Sequence, residues 1–159
     1  VSTEPVLCGN KVKDNLEKNL MLFYTAIKRD ASEILRSQEE QTVKKFNSLR
    51  KLQALVEPLR DVLSKGKNLN QFGEILHEGW VLKRQLTDDI SSSIIDSYYK
   101  KARKAGAIGG KILGAGGGGF FLFYVPRRKQ KQVQDALKDL YYLPVQFDSS
   151  GTRITYYDE

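Results

Sequence analysis

The sequence is short of the residues that make strong sites by themselves. Cys8 is its one cysteine, so no disulfide can form within the chain, and a reducing, cytoplasmic setting is the natural expectation. His77 is its one histidine, which excludes zinc sites built from Cys and His and leaves a Ser-His-Asp triad a single place to start. No apolar run approaches the roughly 20 residues of a membrane span, and no secretory signal pattern opens the chain. The one methionine is Met21 and the sequence begins at Val1. That combination suggests a fragment or processed piece whose function is shared with residues outside it.

What is present points to a folded protein. With 159 residues, 40% of them hydrophobic and 28% charged, the chain can build a real core, and one domain over residues 1–159 is expected. The formal net charge of +7 suits an anionic partner such as phosphate or nucleic acid, and suits a solvated basic surface equally well.

Glycine is unevenly spread. Eight of the 13 glycines fall between Gly106 and Gly119, and Gly116, Gly117, Gly118 and Gly119 are consecutive. Phe120, Phe121, Leu122, Phe123 and Tyr124 follow at once, as a buried strand would. Formally, GAGGGG at residues 114–119 matches the dinucleotide pattern G-x-G-x-x-G, but that motif needs a helix after the loop and a strand follows here. Walker A fails because Gly110-Lys111 is followed by Ile112. The partner motifs of a protein-kinase glycine loop are missing. Two plain readings stay open. The loop is a tight connection, or GFFLF at residues 119–123 imitates the aromatic strand of an RNA-binding module.

Periodicity supplies the surroundings. Residues 19–26 read as a strand, and Asp30 reads as a helix cap with Glu33 at the capping-box position. Helix formers continue to Lys65, with Pro58 expected to kink or divide that helix and Gly66 to stop it. Further helices are expected over residues 69–86, 93–106 and 128–140. Further strands are expected over residues 108–113, 120–125, 143–147 and 152–157, the last two joined by a turn at Asp148-Ser149-Ser150-Gly151. With the helices of the first crossover collapsed, the order is β-α-β-β-α-β, an α+β fold of ferredoxin-like type with extra helices.

KILGAGGGGF at residues 111–120 resembles the third signature motif of the GHMP kinases, the superfamily that includes galactokinase, homoserine kinase and mevalonate kinase. ARKAGAIGG before it and residues 121–126 after it resemble the same region. LFYT at residues 22–25, RDASEIL at 29–35, and FGEILHEGW at 72–80 with Lys83 following, are similar to the sugar-kinase branch that includes D-glycero-D-manno-heptose 7-phosphate kinase. The likeness covers nearly all of residues 16–157. Ala26 stands where that branch would have glycine, and Lys28 where it would have a small polar residue.

The resemblance implies transfer of the γ-phosphoryl of ATP, with Mg2+, to a hydroxyl of a sugar or sugar phosphate, heptose 7-phosphate above all. It also implies that nucleotide, metal and catalytic residue belong mainly to an N-terminal domain absent from these 159 residues. This chain would then hold no catalytic residue and no metal ligand, and would be inactive alone. Its share would be the phosphate-proximal loop, namely Gly114, Ala115, Gly116, Gly117, Gly118 and Gly119. Arg29, Asp30 and Lys83 would be substrate contacts. Partners would be sugar or sugar phosphate, ATP and the protein's own N-terminal domain, with no membrane and no nucleic acid. The alternative is a non-enzymatic ferredoxin-like module for RNA or another anionic ligand.

Overall fold

The computed structural model describes residues 5–148 together with Gly151, Ile154 and Tyr156. Its elements are α1 (Asn10–Asn19), β1 (Leu20–Tyr24), α2 (Ala31–Gln41), α3 (Phe46–Ala54), α4 (Val56–Lys65), α5 (Asn70–Arg84), α6 (Ser93–Ala105), β2 (Gly109–Ile112), β3 (Phe120–Tyr124), α7 (Gln130–Ala136) and β4 (Tyr141–Leu143). A short 3-10 turn, Asp88–Ile90, precedes α6. Among the described residues the strands form one antiparallel sheet of order β2-β3-β1-β4. The expected ferredoxin-like order is therefore present, with α2 to α6 filling the first crossover.

Alternation along the strands sorts the side chains into two cores. Met21 and Phe23 of β1 face the same way as their register neighbours Phe123 and Phe121 of β3. All four lie in the larger core, with Trp80 of α5, Tyr99 of α6 and Val133 of α7. Leu20 and Tyr124 join Leu16 of α1 in a smaller core, against Leu63, Phe72 and Ile108. Phe121 and Phe123 are fully buried. They cannot serve as the stacking platform that an RNA module would need, and only Phe120 of these three phenylalanines is exposed.

Local signals explain the helix ends. Asp30 accepts from the Ser32 N–H at 2.8 Å, and Ser92 accepts from the Ile95 N–H at 3.4 Å. Gly66 and Gly106 close α4 and α6 in the left-handed conformation. The long helix expected from Asp30 to Lys65 is three helices. One break falls at Leu55, just ahead of Pro58. A proline nitrogen cannot donate to the carbonyl four residues back, so Ala54 is where α3 can end and Pro58 sits acceptably in the first turn of α4.

Two further expectations need correction. The sequence shows no clear apolar period over residues 1–14, yet residues 10–19 form α1, which buries Leu16 and is tied at its end by Gln130 to the Lys18 carbonyl and by the Phe147 N–H to the Glu17 carboxylate. The last described strand is Tyr141–Leu143, not residues 143–147. Its side chains are all exposed, so it shows no alternation to read. The strand expected over residues 152–157 falls largely outside the described residues. No helix among the described residues is long and apolar enough to cross a membrane.

Candidate functional site

The glycine loop joins β2 to β3, and it is held at both ends and in the middle by the rest of the chain. Leu113 donates to the Phe120 carbonyl at 2.8 Å and closes its base. On the far side the β1–α2 connection reaches it. Thr25 sends both its N–H and its hydroxyl to the Gly119 carbonyl, each at 2.8 Å, and the Gly119 N–H returns to Ile27 at 3.1 Å. The Gly117 N–H donates to Ile90 of the 3-10 turn at 2.8 Å. From α2, the Gln38 amide donates to the Ala115 carbonyl at 3.3 Å. From α5, the Lys83 ammonium donates to the Gly114 carbonyl at 2.5 Å.

The loop's bareness is required from within the chain as well as by any partner. Gly118 is buried, and a Cβ there would collide with the Ile27 carbonyl. Gly117 is buried with φ +73°, and its Cβ would stand 2.7 Å from Ile34 and 3.1 Å from the Arg29 side chain. These contacts press the loop onto α2 and the 3-10 turn. Among the described residues, the N–H groups of Ala115, Gly116 and Gly118 have no protein partner. Unpartnered backbone donors on a bare loop are available to an anion.

Arg29 and Lys83 each touch the loop, at different places, and Asp30 lies beside Arg29. Arg29 passes beside Gly117 and, with Asp30, Glu33, Arg36, Ser37 and Asp89, lines a polar cavity of about 300 Å3. Asp30 caps α2 and keeps acceptor capacity to spare, since a carboxylate offers about four lone-pair sites. Lys83 sits at Gly114, the loop's entrance. Burial pushes its ammonium below the ordinary lysine range, and the charge of Lys111 pushes it further.

His77 and Trp80 belong to the structure behind the site. His77 Nδ1 and the Tyr99 hydroxyl lie 2.8 Å apart with their rings stacked, tying α5 to α6. Burial lowers the His77 pKa and raises that of Tyr99 to about 12. Trp80 is 1% exposed and packs on Tyr99. Among the described residues no three or more His, Cys, Asp and Glu side chains gather into a group that could hold a metal ion. Sequence reasoning passed over Thr25 and Gln38. Their contacts cross 94 and 77 residues, and no local pattern announces them.

Proteins of known function share this fold. D-glycero-alpha-D-manno-heptose 7-phosphate kinase of Campylobacter jejuni is 30% identical over 143 residues, which are 87% of this chain and 41% of that protein. The solved mevalonate kinase of L. major superposes with a TM-score of 0.67 at 21% identity, over 77% of this chain and 40% of that one. A D-glycero-D-manno-heptose 1-phosphate kinase from B. thetaiotaomicron superposes with a TM-score of 0.56 at 22% identity, over 89% of this chain and 36% of that one. The chain thus spans about two-fifths of the length of the relatives it matches. The family model for the C-terminal region of GHMP kinases matches residues 51–143, which is more than half of the chain and includes the whole glycine loop. On that match the chain belongs to the GHMP kinases, as their C-terminal region.

Proposed function

We propose that this chain is the C-terminal part of an ATP-dependent kinase that phosphorylates a hydroxyl of a sugar or sugar phosphate, with D-glycero-D-manno-heptose 7-phosphate as first candidate. The observation that carries the reading is the loop at residues 114–119, clamped from α2, α5, the 3-10 turn and the β1–α2 connection beside a polar cavity holding Arg29. The 30% identity to a heptose 7-phosphate kinase supports the choice of sugar.

In this reading the loop's unpartnered N–H groups face the phosphoryl group in transfer. Such catalysis is mostly positioning and charge stabilisation, and fixed backbone donors need no reorganisation when charge develops. Arg29 supplies a planar fork for a phosphate or sugar oxygen at the cavity, and Asp30 accepts from a sugar hydroxyl. Lys83 fixes the loop's entrance and adds positive charge to it. ATP is held mainly by an N-terminal domain outside this chain, which also carries the catalytic residue. The two parts act as one enzyme and this chain is inactive alone. A nucleotide substrate and a lone, unpaired cysteine fit a cytoplasmic setting.

The test is ATP turnover by the complete protein across heptose 7-phosphate, fucose and galactose. The expected outcome is a kcat/KM for heptose 7-phosphate at least about tenfold above the others, the scale that unmatched buried polar groups impose. No transfer to any of the three would overturn the reading. Preference for another sugar would overturn the heptose assignment and leave the kinase assignment standing.

A further inference from the structure

A second cavity, of about 210 Å3, opens where α3 and α4 meet α5. Its walls are apolar, with Leu52, Leu55 and Leu59 on one side and Leu76 and Trp80 on the other. Two cations also line it, Lys83 and Lys111, and no carboxylate does. Among the described residues neither lysine has an ion-pair partner, although Lys83 is partly buried and feels the charge of Lys111. Two neighbouring cations without a counter-charge are a standing electrostatic cost beside an apolar space. The Trp80 indole N–H adds a third observation, since it is buried and has no hydrogen-bond partner.

We propose that this cavity binds an amphiphilic anion, its short apolar chain between α4 and α5 and its charged head on Lys83 and Lys111. The volume lies below the roughly 300–1,000 Å3 of common small-molecule sites, which suits a short chain and not a fused ring system. An ammonium has three donors, so Lys83 can meet the head without at once releasing the Gly114 carbonyl. The site goes beyond the kinase reading and stands or falls independently of it.

Trp80 is the one tryptophan of these 159 residues and lines the cavity, so in this chain its fluorescence reports on the cavity wall. The probe is octyl phosphate below its micelle concentration, with octanol and inorganic phosphate as controls. Octyl phosphate should give a saturable change with an affinity at least about tenfold above that of octanol, in keeping with charge-assisted bonds, and inorganic phosphate should give none. The double variant Lys83→Met with Lys111→Met should bind octyl phosphate no better than octanol. Gly79→Leu, which fills the cavity from α5, should bind neither, and circular dichroism checks that both variants fold. No saturable change, equal binding of octanol and octyl phosphate, or unchanged binding by folded Gly79→Leu would each overturn the proposal. So would a full response to inorganic phosphate.

Discussion

Ala26 holds a left-handed backbone, φ 57°, the one such non-glycine among the described residues, in the connection that carries Thr25 and Ile27 to the glycine loop. An L side chain there costs roughly 1–2 kcal/mol, partly offset because alanine restrains the unfolded chain. Ala26→Gly is therefore expected to stabilise the protein by about 0.5–1 kcal/mol and to raise Tm by about 2 °C, which a thermal melt checks. Lower stability would mean that the connection does not need the left-handed turn. Gly118 is the opposite case. Its missing Cβ admits the Ile27 carbonyl, a backbone atom that cannot swing aside. Gly118→Ala should cost about 3 kcal/mol by urea titration, toward the upper end for single substitutions. A loss below about 0.5 kcal/mol would show that the loop shifts freely.

At the scale of elements, α5 carries most of the argument. Its backbone meets β2 so closely that Gly73 and Gly109 touch, its Lys83 pins the loop, and its His77 joins Tyr99 of α6. Burial holds the His77 pKa below its ordinary 6.5, and the charges of Arg103 and Arg84 lower it further. As pH falls the unfolded chain therefore takes up this proton first. Stability from His77 is full above about pH 6.5 and is lost below it, until the folded ring also protonates. The urea midpoint should drop as pH falls below about 6.5, and His77→Gln should flatten that drop. An identical slope in the variant would place the titration elsewhere. Elements with strong caps were legible in the sequence: α6 lies within a residue of its expected bounds, 93–106, because a serine starts it, Ser92 being the cap, and Gly106 ends it. α1 and β4 were not. One buries a single leucine and is held otherwise by bonds from distant residues, and the other exposes all three side chains, so neither leaves a period to read.

At the scale of the molecule, the sequence singled out the glycine loop as the candidate site and indicated the fold that surrounds it. It did not show what holds the loop. The clamps, Thr25, Gln38, Ile90 and Lys83, come from four separate stretches that only the folded chain brings to one place. The glycine requirement at Gly117 and Gly118 is internal packing, and among the described residues some loop N–H groups bond within the chain while others have no protein partner. Both parts meet at Gly117, whose backbone is anchored on Ile90 and whose absent side chain makes room for Arg29 and Ile34. The most direct measurement is phosphoryl transfer from ATP to heptose 7-phosphate by the complete protein carrying Gly117→Ala, at a temperature where circular dichroism finds it folded. Displacing preorganised donors by this much should lower kcat by about 100-fold. Turnover close to that of the unaltered protein would contradict the account.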